Sequence, residues 1–499
     1  FSLTAFSQNK RDYKWVMGLN RVELRGGDII DFDNHRSIDT GFLAFAMGRN
    51  NVSISDKYGN LLMYSNGCAI ADKTHHIMEG GDSINYGLYW EKHCTAKYNT
   101  GYSLMQNSLI LPDPGNSDSN SNGYYLLHKR TELLKEPYLH FWCPGVSYSY
   151  VDMNANSGKG KVIKKNKLIF NTTTLAQGYM TACKHANGKD WWIIQIESDT
   201  NIYFKILLTK DTVMVVDSQS LAGTFPHGNS LGQAVFSPDG SKWIAFNYID
   251  KALIYDFDRA TGELSNLQRV NPQTINPQDS GVFVGVAVSP NSRFVYLSSG
   301  VDLYQADLWA NDIQSSLVHI AHRDYFPDPD FYSDFTVAQL APDCKIYIVA
   351  GITNNYLHVI NKPNLKGKAC DFRQHSFYLP NLNDNGSLPN FPHFRIDEDQ
   401  ICDSTITLIP DEYIFKEINK LNVYPNPVSD EATISVYSDG YEQGKISIYT
   451  ITGELVRTMY IDSEATKSLD VKSIKPGVYI VKYIPEKGKE EVRKLIVGR

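Results

Sequence analysis

The sequence predicts an all-β chain: a seven-bladed β-propeller over residues 1–403, a linker over 404–419, and a small Ig-like β-sandwich over 420–499. Three observations predict it. Aromatic residues make up 12% of the chain, and Tyr (31) outnumbers Phe (22), a bias that suits strands. A hairpin signature repeats, with Pro238, Pro290 and Pro342 spaced 52 residues apart each time. The composition then breaks: no Trp occurs after Trp309 and no Cys after Cys402.

The repeat is clearest in its later copies, "FSPDGSKWIAFN" from Phe236, "AVSPNSRFVYLSS" from Ala287 and "QLAPDCKIYIVAG" from Gln339. Each has an apolar strand, a Pro-Asp or Pro-Asn turn, and a second strand rich in aromatic and β-branched residues. Proline presets φ for the turn, and Asp, Asn or Gly accept the bend that follows. A third strand comes next, as in "KALIYDFDRATGEL" from Lys251 and "NNYLHVINKPN" from Asn354. Looser copies lie upstream in "DKYGNLLMYSNG" from Asp56, "NSNGYYLLHK" from Asn120 and "KHANGKDWWIIQI" from Lys184. That makes six hairpins. "KWVMGLN" from Lys14 has no partner of its own, and "NFPHFRID" from Asn390 reads as a lone strand after the sixth unit. Pairing the two would complete a seventh unit and close a ring. Sheets with such a period bury their faces only by packing radially, and closure removes the open edges.

The "SPDG-K-W-I-A-F" turn resembles PD40/WD40-like and TolB-type repeats. "GNLLMYSNGCAIADKTHHIMEGGDSIN", "NSLILPDPG", "NGYYLLH", "KHANGKDWWI" and "LPNFPHFRI" together resemble a group of large secreted propellers common in Bacteroidota. This resemblance spans residues 10–403 and implies fold and export, without an activity.

"STITLIPDEYIFKEINK" from Ser404 carries no repeat signature and reads as a connector. The last 80 residues form about seven short alternating runs, such as Lys445-Ile446-Ser447-Ile448-Tyr449, with turns at Thr452-Gly453 and Pro476-Gly477. Alternation of this kind puts apolar groups on one face of each strand, as a sandwich requires. "LNVYPNP" from Leu421, "ISIYTITGELV" from Ile446, "IKPGVYIVKY" from Ile474 and "EVRKLIVGR" from Glu491 resemble, in order, the type A C-terminal sorting domain of the type IX secretion system. The resemblance implies that Tyr424, Pro425, Asn426, Pro427, Gly453, Pro476, Gly477, Tyr479, Lys494 and Arg499 belong to the sorting signal. It further implies passage through the periplasm, recognition by the outer-membrane translocon and its shuttle protein, delivery to the cell surface, and in many relatives removal by a sortase. Pro425 and Pro427 would fix an extended entry strand, which favours recognition by strand addition.

The formal net charge of −7 argues against a nucleic-acid or anionic-membrane surface. No apolar run approaches the roughly 18 residues of a membrane span. The chain begins at Phe1 with no charged-then-apolar leader, so a removed signal peptide or a trimmed start is expected. Seven cysteines show no CxxC pairing, and an odd count leaves at least one outside an intrachain bridge. In an oxidising compartment, bridges are expected at Cys68–Cys94, within a blade, and at Cys370–Cys402, tying the ring closure to the last blade.

The candidate chemistry is sparse. His75-His76 and His93-Cys94 match no ligand spacing, so no metal is expected there. Asp118, Asn120, Asn122 and Gly123 resemble the start of a calcium loop, but Lys129 stands where the bidentate Glu would close it. A structural Ca²⁺ at this loop, or at "LNDNGSLPN" from Leu382, is the single cofactor considered. Asp328, Asp330 and Asp334 cluster with aromatic residues, as glycosidase carboxylates can, though nothing sets their separation. Trp191 and Trp192 are expected in the core on opposite faces of a strand, and His185 as a hydrogen-bonded structural histidine. Gly-x-Ser-x-Gly, HExxH, P-loop and dinucleotide fingerprints are absent. The sequence therefore predicts a secreted or surface-bound binding or adhesion module, more readily than an enzyme, with a glycan or surface protein as ligand. The alternatives are a secreted hydrolase or lyase acting on glycan or peptide, and a structural part of the secretion or surface machinery.

Overall fold

The computed structural model describes residues 9–18, 26–33, 36–95, 101–117, 122–134, 140–222, 232–247, 251–272, 283–324, 327–328, 331–351, 354–383, 388–398, 421–424, 426–436, 444–461, 466–485 and 490–498. Two compact units emerge, Phe1–Cys402 and Asp403–Arg499.

The turn chemistry of the repeat is realised in detail. In the three late copies the residue two after the proline has a left-handed φ: Gly240 (72°), Ser292 (58°) and Cys344 (64°). Each donates its N–H back to the residue before the proline, Gly240 to Ser237 at 2.8 Å, Ser292 to Ser289 at 2.8 Å and Cys344 to Ala341 at 3.0 Å. These turns open antiparallel sheets whose four strands are neighbours in chain order. The first strands of the three sheets are Gln233–Phe236, Gly285–Val288 and Ala338–Leu340.

Four sheets precede them. Thr181–Lys184 and Ser108–Pro112 begin two four-stranded sheets, and Val52–Ser55 begins a three-stranded one. The first of all contains Lys14–Met17, Gly26–Asp31 and Ser37–Phe42. Among the described residues seven up-and-down sheets of three or four strands thus follow one another, with a two-stranded one of Pro327–Asp328 and Phe331–Tyr332 beside them, a propeller-like series in which most inner strands lie beside that of the next sheet. The buried apolar residues between sheets form the core, as in the packing of Trp192, Tyr203, Trp243 and Tyr255 between the fourth and fifth.

Ring closure differs from the sequence expectation. Lys14–Met17 has a partner: it pairs with Gly26–Asp31, Trp15 opposite Ile30. Residues 388–398 form no strand. The reason is chemical. Two prolines, Pro389 and Pro392, remove ladder donors, and the Asn390 amide is used by main chain from several sheets at once. Its Nδ2 donates to the carbonyls of Ser108 (2.9 Å) and Met180 (2.8 Å), and its N–H to Asn51 O (2.9 Å). Its Oδ1 accepts from Gln106 Nε2 at 3.1 Å. Gln106 also reaches Ala234, accepting from its N–H (2.8 Å) and donating to its carbonyl (2.9 Å). Gln233 bridges the last sheets, accepting from Val286 N (3.0 Å) and Ala338 N (3.1 Å) and donating to Ala338 O (2.6 Å). Three amide side chains therefore fill the axis on which the inner strands converge, and Phe391 and Phe394 join the adjoining apolar core.

The first and last sheets are joined by side chains instead of a shared ladder. Arg395 forms a buried bidentate pair with Asp12, Nη1 to Oδ1 at 2.5 Å and Nη2 to Oδ2 at 2.8 Å. Asp28 accepts from Asn381 N and Nδ2, both at 3.0 Å. Trp15 packs edge-on to Tyr347, with centroids 5.6 Å apart.

The second unit has a three-stranded sheet of Leu421–Tyr424, Glu431–Val436 and Thr466–Asp470. Its other sheet runs in the order Leu455–Ile461, Gly444–Thr450, Gly477–Pro485 and Glu491–Val497. Leu421, Ile434 and Leu469 from the first meet Ile446, Ile448, Val481, Tyr483 and Leu495 from the second in one apolar core. The alternation read in the sequence produces this: Ile446 and Ile448 are fully buried while Lys445 is exposed.

Candidate functional site

The C-terminal unit is the best-defined functional element, and its first motif, with Gly477 and Tyr479, lies against the last strand. Asn426 of "YPNP" accepts from Ile496 N (2.8 Å) through Oδ1 and donates to Lys494 O (2.6 Å) through Nδ2. Val428 continues the contact as a parallel bridge to Val497, donating to Ile496 O (2.9 Å) and accepting from Gly498 N (2.8 Å). The first and last motifs of the domain are thus hydrogen-bonded together. Tyr424 ends the strand Leu421–Tyr424, and Pro427 is exposed in the bend that follows. Gly453 adopts a left-handed φ of 88° in the turn closed by its N–H to Thr450 O at 3.0 Å, where a side chain would be strained. Pro476 precedes the strand that Gly477 opens, and the Tyr479 hydroxyl donates to Lys475 O at 2.7 Å, fastening that turn. Lys494 is exposed opposite Ile480. Pro425 and Arg499 lie outside the described residues.

The cysteines depart from expectation in part. Cys68–Cys94 is bridged, with Cα atoms 5.6 Å apart. The expected Cys370–Cys402 bridge is corrected: Cys370 is a free, fully buried thiol, packed with Tyr296 and Ile360. Its position on a short 3-10 turn inside an apolar cluster points the thiol inward, and burial raises its pKa. Cys344 is disulfide-bonded instead, and Cys402 lies outside the described residues. Cys143 and Cys183 are buried thiols.

Among the described residues no group of three or more His, Cys, Asp or Glu side chains could hold a metal ion. His75 Nδ1 lies 3.2 Å from the Tyr64 hydroxyl, His76 Nδ1 lies 2.8 Å from Thr74 O, and His93 stacks on Tyr89. Asp118 and Asn120 lie outside the described residues, and Lys129 points inward, its Nζ donating to the carbonyls of Ala176 and Gly178. Burial lowers the Lys129 pKa to about 8, against a smaller opposing pull from Cys143. Asp334 pairs with Arg323, Asp330 lies outside the described residues, and the Asp328 side chain is likewise outside them. Trp191 and Trp192 are both buried on opposite faces of their strand, and His185 accepts from Asn187 N at 2.9 Å and stacks on Trp192.

What the sequence did not reveal is the axis. The segment 388–395 separates two recesses. One, of about 40 Å³, is lined by Asp12, Thr181, Phe236, Ala287 and His393. His393 is held well below the ordinary histidine pKa by burial, with Arg395 and Lys184 adding to the effect. The other, of about 10 Å³, is lined by Arg49, Met105, Gln106, Leu388 and Asn390. Arg49 is half-buried, its pKa lowered chiefly by burial. The "LPNFPHFRI" stretch was visible as a motif, but its axial role depends on contacts more than 200 residues distant in sequence.

No helix among the described residues is long and apolar enough to cross a membrane. No curated protein matches the sequence. The chain is similar to a functionally unknown protein from Desulfotomaculum acetoxidans, at 16% identity over 76% of this chain and 99% of that one, with a TM-score of 0.39. It is also similar to the Cps50 (Swd1) β-propeller domain of Myceliophteria thermophila, at 11% identity over 79% of this chain and 98% of that one, with a TM-score of 0.31. Sqt1 from Chaetomium thermophilum is similar at 13% identity over 55% of this chain and 72% of that one, with a TM-score of 0.31. The order of the sheets, and not these distant likenesses, carries the propeller-like fold. Residues 422–498 match the secretion system C-terminal sorting domain. With its motifs knitted to its last strand, this tail marks the chain as cargo of the type IX secretion system, sent to the cell surface or the extracellular space.

Proposed function

We propose that the chain is a seven-bladed β-propeller displayed at or beyond the cell surface as a non-enzymatic binding platform, exported by an Ig-like sandwich that the translocon and its shuttle protein read. The observation that carries the export half is the sorting domain at 422–498. The observation that supports binding over turnover is the filled axis, where Gln106, Gln233 and Asn390 occupy the place in which inner loops could converge on a substrate. The two axial recesses, about 40 and 10 Å³, are far smaller than the roughly 300–1,000 Å³ typical of small-molecule sites. A rigid ring with a closed centre favours ligands held at its rim. The Cys68–Cys94 bridge stiffens one part of that first unit without contributing chemistry.

The test is to incubate the purified chain with a glycan array and a polysaccharide panel, with product analysis. Retention of ligand with no product supports the platform. Turnover that disappears on a single carboxylate substitution would replace it with the hydrolase or lyase alternative.

A further inference from the structure

The outer strand Lys161–Asn171 of the third sheet carries an unusual run of positive charge. Lys159, Lys161, Lys164, Lys165 and Lys167 place five cations within nine residues. Lys159, Lys164 and Lys167 are exposed. Lys161 pairs with Glu79 (2.6 Å) and Lys165 with Asp82 (3.1 Å), whose side chains are themselves more than half exposed. Pairs this open are weak, so a ligand anion exchanges for either carboxylate at little cost. The formal net charge of −7 is a sum over the whole chain, and charges beyond about 8 Å are largely screened at physiological salt. The local excess therefore acts alone.

Lysines on an edge strand ordinarily guard it against pairing with another chain. That need does not account for these. The fourth strands of the later sheets, Val213–Ser220, Leu264–Val270, Val318–His322 and Phe372–Asn383, carry at most one Lys or Arg each. The edge of Lys161–Asn171 is, moreover, already covered by residues 79–85. Val162 N–H donates to Glu79 O at 2.9 Å, while Asn166 donates through Nδ2 to Ser83 O (3.0 Å) and accepts from Asn85 N (2.9 Å).

The layout of the cations selects the ligand. A strand rises about 3.3 Å per residue, so Lys161 to Lys167 spreads charge along roughly 20 Å, which suits an extended polymer better than a compact anion. The floor beneath is ordered. Lys164 lies opposite Tyr150, its Nζ 5.8 Å from the ring centroid, and Lys167 lies opposite Tyr148. Both tyrosines pack on Tyr125, with centroids 5.4 and 4.8 Å away, and the Tyr150 hydroxyl donates to Asp113 at 2.7 Å. Because Lys164 takes the Tyr150 face on which a nucleobase would stack, single-stranded nucleic acid is the poorer match.

We propose that this strand is the docking surface for an acidic polysaccharide, a linear chain of sugars bearing carboxylates. The inference rests on the binding-platform reading and names its ligand class. The probes are polygalacturonate, its neutral methyl ester and single-stranded DNA, immobilised and offered to the full chain at low and high salt. Polygalacturonate is expected to retain the protein, less so as salt rises, and the methyl ester is not. Lys164→Gln/Lys165→Gln/Lys167→Gln should weaken retention about tenfold, as three exposed ion pairs are lost. The charge-matched Lys362→Gln/Lys366→Gln/Lys368→Gln should keep it. Should the first triple variant fail to fold, Lys167→Glu, at an exposed position, is expected to weaken retention several-fold by itself. No retention by polygalacturonate, equal retention by its ester, equal loss in both triple variants, an unchanged Lys167→Glu, or tighter binding of DNA would each overturn the proposal. Its failure is distinguishable from failure of the platform: neutral glycans held without product while polygalacturonate is not sinks the strand alone, whereas turnover of a polysaccharide sinks the platform.

Discussion

Single residues hold the two ends of the first unit together, and their chemistry sets what happens when they change. Asp12 and Arg395 are both buried, so removing one strands the other as an uncompensated charge. Arg395→Met or Asp12→Asn should destabilise by about 3–5 kcal/mol, while the apolar double replacement should lose much less. Urea denaturation of the three variants measures this directly. Asp28 makes a pH prediction. Burial raises its pKa to about 7 from the ordinary 3.8, against the pull of the Asn381 hydrogen bonds. Between those values the folded state binds more protons than the unfolded one, so this carboxyl's contribution is whole below pH 3.8 and is lost as pH climbs through 7. Wild type should therefore lose stability across that window more steeply than Asp28→Asn, as a series of urea midpoints against pH will reveal. The thiols are a third case. Peptide mapping without reductant should find Cys68–Cys94 joined and Cys143, Cys183 and Cys370 unmodified until the chain unfolds. Cysteine positions in a sequence carry no separation in space, which is why Cys370 could be assigned to a bridge that its buried cluster forbids.

At the scale of elements, what was legible is what is local. Pro-Asp turns and alternating strands announce themselves because φ preference and side-chain period act within a few residues, and Gly240, Ser292 and Cys344 occupy the expected bend. The segment 388–395 was illegible for the opposite reason. Its aromatic residues gave it the look of a strand, yet its prolines and Asn390 serve distant carbonyls, so its conformation is set by tertiary contacts. Asn390→Ala should leave the buried carbonyls of Ser108 and Met180 without a donor and weaken the ring by about 1–3 kcal/mol. Faster amide exchange of Gln106 and Ala234 than of the outer strands would register it. In the sorting domain, Asn426→Ala removes both bonds to the last strand. Amide exchange at Ile496 should accelerate selectively, and export should fall if the ordered last strand is part of the signal. An unchanged rate at Ile496 would show that the parallel Val428 contact suffices alone.

At the scale of the whole molecule, the chain has two working parts: a ring sealed through its centre by its own chain, and a tail that addresses it. The all-β, propeller-like character and the sorting tail were both readable from sequence, since repeats and ordered motifs are one-dimensional signals. The occupied axis was not, because it is a product of closure. The central claim is that residues 421–499 carry the chain out of the cell. The measurement is quantitative immunodetection in cell, surface and medium fractions of a host with a type IX system, comparing the full chain with one ending at residue 420. The account predicts that the full chain reaches the surface or medium while the shortened chain stays inside the outer membrane, folded and protease-resistant. Equal appearance of both outside the cell would contradict it.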